Sequence, residues 1–214
     1  MKTERALPWR CLRAAVRPVA RLLFDLRVEG REHIPPNGGV LVVSNHQSCL
    51  DPILLPLQLH RPMNYLAKSE LFVNPVIAWF LRTIFNAFPV RMGHGDVRAV
   101  KETIQRLKEG HLMNVFPEGT RTEDGELCPL QKGAALIIER SGATVVPAII
   151  VGAYEAWPLH RKLPRFTPIC IRFGPPMNLA GLNREQVMAV IDRTMHEMFD
   201  ALRARERLRA QRAA

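Results

Sequence analysis

The chain has 214 residues, of which 47% are hydrophobic and 23% charged, and its formal net charge at pH 7 is +10. This length suits one domain, and the composition is that of a globular protein and excludes a largely disordered chain. Four cysteines lie far apart with no Cys-x-x-Cys pair, which argues against a zinc ribbon or a disulfide framework and fits a reducing compartment.

The basic excess is concentrated at the two ends of the chain. Residues 1–23 carry a net charge of +5 and residues 201–214 carry +4, so the body of the chain is close to neutral. Basic ends on such a body favour contact with an anionic surface that is made by the ends rather than by the body. The alternative, a nucleic-acid-binding protein, would need a patterned basic and aromatic surface in the body, which this sequence lacks.

No segment reaches the roughly 18 uncharged apolar residues that a membrane span needs. Arginines interrupt the N-terminal region throughout, where a signal peptide would have an unbroken apolar core. We therefore expect a peripheral protein on the cytoplasmic face of the inner or cell membrane, without a transmembrane span.

Apolar residues in residues 1–33 recur at three- and four-residue steps, which predicts an N-terminal amphipathic helical segment. They are Trp9, Leu12, Val16, Val19, Leu22 and Leu26, with Arg10, Arg13, Arg17 and Arg21 along one flank. Pro18 lacks the amide hydrogen that a helix interior needs, so we expect a kink or two short helices. Such a helix could lie in the plane of a membrane or pack on its own domain.

Strands alternate with helices through residues 34–182, which predicts an α/β domain with a central, mostly parallel or mixed sheet flanked by helices. Short β-branched runs predict strands at 40–44, 111–116, 144–151 and 170–173. Helical spacing predicts helices at 53–59, 97–108 and 133–140. Asn183 and Gln186 form a capping-box pattern that opens a last amphipathic helix with an Arg-rich tail, residues 183–214.

His46 and Asp51 follow the first of these strands and are the first candidates for chemistry. In a continuous helix they would point about 140° apart, so they can meet only if the chain bends between strand and helix. A carboxylate bonded to one imidazole nitrogen fixes the tautomer and makes the other nitrogen a better base. That arrangement suits removal of a proton from a substrate hydroxyl.

A second motif, Phe116-Pro117-Glu118-Gly119-Thr120-Arg121, follows another predicted strand. The glycine allows a backbone to approach a ligand closely, and the Arg121 guanidinium offers a planar fork that suits phosphate. Taken alone, Arg121 could equally be a turn residue paired with Glu118.

Together, the two motifs resemble those of the glycerolipid acyltransferase family, and most of all its lysophosphatidic acid acyltransferases. The resemblance covers about 120 of the 214 residues, from Gly38 to near Tyr154. It includes further blocks at 67–71, 88–91, 131–134 and 145–148. One departure is Asn86, which stands where the family usually has a glycine five residues before an arginine, here Arg91.

The resemblance implies an enzyme that moves a fatty acyl group from acyl-CoA or acyl-ACP to the free hydroxyl of lysophosphatidic acid, giving phosphatidic acid. It implies that His46 is the general base, that Asp51 orients it, and that no metal or other cofactor takes part. It also implies that the motif Glu118, Gly119, Thr120 and Arg121 binds the glycerol-phosphate headgroup, with Lys68 and Arg91 as further phosphate partners. Another lysophospholipid or lipid acceptor is the alternative, to which Asn86 is the one pointer.

Overall fold

A seven-stranded sheet forms the centre of the molecule. In the computed structural model, residues 6–91 and 96–213 are described, without the side chains of residues 6–9, 12 and 213. The strands are β1 (Arg27–Glu29), β2 (Val40–Ser44), β3 (Met63–Lys68), β4 (Phe88–Val90), β5 (Leu112–Val115), β6 (Thr144–Val151) and β7 (Cys170–Phe173). Their order is β1-β7-β6-β2-β5-β3-β4, and β6 through β4 run parallel, whereas β7 is antiparallel to β6. The mixed α/β fold predicted from the sequence is therefore confirmed.

Helices cover both faces of the sheet. They are α1 (Ala6–Phe24), α2 (Asp51–Leu54), α3 (Pro75–Ile84), α4 (Val97–Lys108), α5 (Gly133–Ser141), α6 (Ala153–Ala156) and α7 (Arg184–Ala213). Alternate residues of each central strand point to opposite faces. In β2, Val40 and Val42 join a core with α1, α2 and α6, while Leu41 and Val43 join a second core with α4, α5 and α7.

The start and stop residues of several helices have the expected chemistry. Asn74 caps α3 by accepting the N–H groups of Val76 and Ile77, and Gly142 ends α5 in the left-handed conformation at φ 63°. Asn183 and Gln186 make the two reciprocal hydrogen bonds of a capping box, both 2.9 Å long, at the start of α7. The predicted helix at 53–59 is shorter: α2 is one turn, followed by a 3₁₀ turn at Pro56–Gln58.

The first helix differs from its prediction in two respects. It continues through Pro18 as one helix. Its buried side is formed by Ala20 and Phe24, and Val16 of the predicted stripe is half-buried against the same core. Val19 and Leu22, which the sequence placed on that stripe, are exposed. Arg13, predicted on the basic flank, is turned inward and its Nε donates to the Leu57 carbonyl at 2.9 Å. Trp9 and Leu12 lie outside the described side chains, as do residues 1–5 altogether.

The division into 1–33, 34–182 and 183–214 stays a prediction, with one difference at its first boundary. Strand β1 lies inside the predicted N-terminal segment but belongs to the sheet, because it pairs in parallel with β7. Among the described residues, no helix is both long enough and apolar enough to cross a membrane.

Candidate active site

The topology brings the predicted site residues to one edge of the sheet. Strands β2, β5, β3 and β4 are neighbours and run parallel, so their carboxyl ends meet at the same edge. His46 follows β2, the segment 116–121 follows β5, Lys68 ends β3, and Arg91 follows β4. In parallel α/β sheets, ligands bind at this edge.

His46 and Asp51 meet because the chain bends between the end of β2 and the start of α2. The His46 Nδ1 lies 2.8 Å from Asp51 Oδ2. The same carboxylate oxygen accepts the backbone N–H groups of Gln47 at 2.6 Å and Ser48 at 2.7 Å. Asp51 is fully buried, so these bonds fix both the bend and the carboxylate.

This geometry determines what the imidazole can do. Because Asp51 can only accept when ionised, Nδ1 carries the hydrogen, and Nε2 is left with its lone pair as the basic nitrogen. The His46 ring stacks on Phe116, with 3.9 Å between ring centroids and 13° between planes. Its side chain keeps 20% of its surface exposed. The ring is held by Phe116 on one face and by Asp51 at Nδ1, and its exposed part remains open to a substrate.

Glu118 is placed differently from the expectation that it binds the substrate headgroup. Its side chain is 3% exposed, and its two oxygens accept backbone N–H groups from His46 at 3.0 Å and Cys128 at 3.2 Å. Burial raises the pKa of this carboxyl to about 7, against those two hydrogen bonds, which lower it. Glu118 therefore holds the backbone of the histidine rather than facing solvent at the site.

Gly119 has a backbone conformation that residues with a side chain rarely adopt. It adopts φ +71°, and an added Cβ would come within 2.2 Å of the Gln131 side chain amide nitrogen. Gln131 holds the same turn, since its backbone N–H donates to the Pro117 carbonyl at 2.8 Å. The glycine thus permits the tight turn that aims the next two residues outward.

Thr120 and Arg121 lie at the outer end of this turn. Thr120 is exposed, and among the residues that the structure describes its hydroxyl bonds only to the carbonyl of Arg121, at 3.4 Å. The Arg121 Nη1 lies against the sulfur of Cys49, which is itself exposed between His46 and Asp51. The Arg121 guanidinium forms no ion pair with Glu118, which answers the alternative left open by the sequence. Its remaining N–H groups are available to an anion beside His46.

Lys68 and Arg91 share the edge but not the immediate site. Both are exposed at the ends of neighbouring strands, and neither side chain contacts His46 or Arg121 within the part of the chain described. Asn86 has φ +45° and its carbonyl accepts Arg106 Nη1 at 2.7 Å. Asparagine and glycine both tolerate this left-handed conformation, so the backbone here is compatible with either residue.

Two contacts at the site were not predicted from the sequence. Phe116 stands inside the second motif, but only the structure shows its ring stacked on His46. The Ser48 hydroxyl donates to the Trp157 carbonyl at 2.8 Å, which ties the chain after α6 to the segment between His46 and Asp51. Within residues 6–91 and 96–213, no group of three or more His, Cys, Asp and Glu side chains is arranged to hold a metal ion. A metal-free reaction stays a prediction.

Comparisons with known proteins agree with this geometry. The profile of the Acyltransferase family matches residues 25–151. The chain is 34% identical over 153 residues to the 1-acyl-sn-glycerol-3-phosphate acyltransferase of Bacillus subtilis, covering 69% of this chain and 73% of that protein. A chloroplastic enzyme of the same name from Arabidopsis thaliana is 33% identical over 138 residues, and the match spans only 38% of its length.

A solved structure is similar as well. The crystal structure of the 1-acyl-sn-glycerophosphate acyltransferase PlsC from Thermotoga maritima matches with a TM-score of 0.80 and 29% identity, over 95% of this chain and 85% of that chain. With a family match over more than half of its residues and a histidine–aspartate pair at the expected edge of the sheet, this chain belongs to the acyltransferase family.

Proposed function

We propose that this enzyme transfers a fatty acyl group from a thioester to the free hydroxyl of lysophosphatidic acid, forming phosphatidic acid. The observation that carries the proposal is the 2.8 Å contact between His46 Nδ1 and Asp51 Oδ2, which leaves Nε2 as a base at an open edge of the sheet. The names of the Bacillus and Thermotoga relatives support the choice of acceptor.

The chemistry needs only this chain and its two substrates. His46 Nε2 takes the proton of the acceptor hydroxyl as that oxygen attacks the thioester carbonyl. When the tetrahedral intermediate collapses, the carbon–sulfur bond breaks and the imidazolium returns a proton to the leaving thiolate. Asp51 stays ionised and stabilises the imidazolium between these two steps. Coenzyme A and acyl carrier protein present the same reacting thioester, so both are candidate carriers.

The headgroup of the acceptor fits the cationic side of the same edge. We propose that the Arg121 guanidinium binds its phosphate, with Gly119 and Thr120 forming the adjoining turn. Lys68 and Arg91, at the ends of β3 and β4, extend positive charge along the edge away from His46. We expect the phosphate to lie on this cationic side while the reacting hydroxyl lies beside His46.

We also propose that the enzyme docks peripherally on an anionic membrane, at the cytoplasmic face, through α1 and the segment 69–84. Leu22 on α1 is 85% exposed, and α1 contacts α3, where Val76 and Trp79 are also exposed. Apolar and aromatic side chains beside exposed arginines, here Arg21 and Arg82, suit the interface of an anionic bilayer.

The Arg-rich C-terminal tail has a different environment from the one that the sequence suggested. Helix α7 packs on the face of the sheet opposite α1. Arg203 is paired with Glu126, Arg205 with Glu29, and Arg209 with Glu206. These arginines are engaged within the protein, so the proposed docking surface does not include them. Nothing in the fold or the comparisons indicates nucleic-acid binding.

A thiol-release assay on the purified protein tests the proposal. Acyl-CoA and acyl-ACP should each be offered with lysophosphatidic acid and with lysophospholipids that carry choline, ethanolamine or glycerol on the phosphate. We expect the highest kcat/KM with lysophosphatidic acid on at least one carrier. Equal or faster turnover of a substituted lysophospholipid would assign a different acceptor to the same chemistry.

A further inference from the structure

The segment between α6 and β7 has an unusual surface. It consists of residues 158–167 and is called the 158–167 loop. It contains three cationic residues, Arg161, Lys162 and Arg165, and no aspartate or glutamate. It also exposes large apolar side chains: Leu159, Leu163 and Phe166 are 51%, 75% and 64% exposed. Exposed apolar side chains beside unopposed positive charge are unusual on a surface that meets only water.

The loop is folded back on the protein rather than hanging free. The Trp157 indole N–H donates to the Arg161 carbonyl at 2.9 Å, and the Arg165 N–H donates to the Ala156 carbonyl at 2.7 Å. The Phe166 ring lies edge-on to Phe24 of α1, with 5.7 Å between centroids. These contacts hold the tip of the loop in place, so its apolar side chains are presented to the outside without loss of backbone order.

The position of the loop links it to the active site. Strand β6 runs parallel to β2, so the chain that leaves β6 emerges at the same edge as His46. The Ser48 hydroxyl bonds the Trp157 carbonyl, which joins the catalytic segment to the start of the loop. On the other side of His46, the chain leaving β3 forms the exposed apolar segment 69–84. The active-site edge is therefore flanked by an exposed apolar element on each side, and the 158–167 loop adds positive charge to its own side.

We infer that the 158–167 loop is a second membrane-contacting element, which inserts Leu163 and Phe166 into the interface of an anionic bilayer. With segment 69–84 on the other flank, it directs the edge that carries His46 and Arg121 toward the lipid surface. The inference rests on the proposed membrane-embedded acceptor. A bilayer fits better than an apolar protein partner, because Arg161, Lys162 and Arg165 have no carboxylate partner among the described residues and complement an anionic headgroup layer.

The test compares the variant Leu163→Ser/Phe166→Ser with Leu208→Ser, which removes an exposed leucine (55%) from α7, on one face of the sheet and outside the loop. Binding to phosphatidylglycerol vesicles is measured by co-flotation. Acyl transfer is measured twice, with lysophosphatidic acid embedded in the vesicles and with a short-chain, water-soluble lysophosphatidic acid. Leu163→Ser alone is included because it leaves the contact between Phe166 and Phe24 intact.

We expect the double variant to bind vesicles about tenfold more weakly and to lose activity on the embedded acceptor in proportion, with activity on the soluble acceptor unchanged. Leu163→Ser should show a smaller loss of the same kind, and Leu208→Ser none. Unchanged vesicle binding in both loop variants would overturn the inference. If vesicle binding is unchanged and the loop variants lose activity with acyl-ACP but not with acyl-CoA, the loop contacts the carrier protein instead.

The soluble acceptor separates this inference from the proposed function. If the unmodified enzyme fails to acylate either acceptor while the loop variants still lose vesicle binding, the proposed acceptor is wrong and the loop assignment stands. If the enzyme acylates both and the loop variants behave like it, the loop assignment alone is wrong.

Discussion

One oxygen of the Glu118 carboxylate accepts the backbone N–H of His46 at 3.0 Å, across the two neighbouring strands β2 and β5. The other oxygen accepts the N–H of Cys128. Glu118 thereby ties the turn after β5 to the residue that carries the base. We therefore expect Glu118 to affect catalysis through the position of His46.

This relationship predicts a particular kinetic defect. Glu118→Ala should lower kcat by about 10²-fold, because a small displacement of His46 misaligns the proton transfer. The KM for the acceptor should hardly change. Glu118→Gln should retain part of the activity, since its amide has one oxygen for two N–H groups. Steady-state kinetics against the exposed control Glu123→Gln check this. A raised acceptor KM at unchanged kcat would instead show that Glu118 binds the headgroup.

The buried carboxyl also predicts a pH dependence of stability. The pKa of Glu118 is about 7 in the folded protein, against an ordinary value of 4.5, which applies to the unfolded chain. Below pH 4.5 it is neutral in both states. As the pH rises from 4.5 to 7 the unfolded chain ionises first, so Glu118 reduces the free energy of unfolding, by at most about 3 kcal/mol.

Urea unfolding of the wild type and of Glu118→Gln at pH 4.5, 5.5, 6.5 and 7.5 measures this effect. The free energy of unfolding of the wild type, relative to that of Glu118→Gln, should fall as the pH rises, because the glutamine does not ionise. Asp51 and His46, which lie nearest, are common to both proteins and cancel in the comparison. A difference that stays constant over this range would contradict the assignment.

Arg121 is expected to act mainly on the acceptor. Removing a guanidinium that binds phosphate costs a charge-assisted hydrogen bond, so Arg121→Ala should raise the acceptor KM by about 10- to 100-fold. Arg121→Lys should recover only part of this, because an ammonium cannot make the forked contact. The KM for the acyl donor should be unaffected. The kinetics of the control Lys108→Ala should be unaffected as well, because this exposed cation ends α4 just before β5 begins, at the opposite edge of the sheet. An unchanged acceptor KM in Arg121→Ala would remove this residue from the site.

Asn86 offers a test of backbone conformation at the position where the family usually has glycine. Because φ is +45°, Asn86→Gly should leave both turnover and stability close to those of the wild type. Asn86→Val should lower the free energy of unfolding by about 1–3 kcal/mol, since a β-branched side chain is strained there. Unfolding midpoints and acceptor kinetics decide this. A change of acceptor preference in Asn86→Gly would show that the asparagine side chain contacts the substrate.

The central strands were predictable from the sequence because both of their faces are buried. Strands β2 and β6 read as unbroken runs of branched apolar residues. Three outer strands were missed for physical reasons. Strand β1 has three half-buried residues, β3 contains Asn64 and ends in Lys68, and β4 contains Pro89 at the edge of the sheet. Their pairing depends on neighbours that the local sequence does not reveal.

The same limit explains what was and was not predictable at the site. The motifs located His46, Asp51 and Arg121 because their residue types carry the chemistry. A carboxylate that binds backbone, such as Glu118, has the same residue type as one that binds a ligand, and only its burial distinguishes the two. On α1, the apolar spacing predicted a helix, but two apolar stripes were consistent with it. The packing of Ala20 and Phe24 selects the one that leaves Val19 and Leu22 outside.

The most direct test of the account is the rate of thiol release by His46→Ala with an acyl thioester and lysophosphatidic acid. Loss of the base should reduce kcat by about 10²- to 10⁴-fold, and Asp51→Asn, which removes the carboxylate that fixes the tautomer, should also be strongly impaired. The circular dichroism spectrum and unfolding midpoint of His46→Ala should match those of the wild type, because the ring is partly exposed. A correctly folded His46→Ala protein with near wild-type turnover would contradict the account.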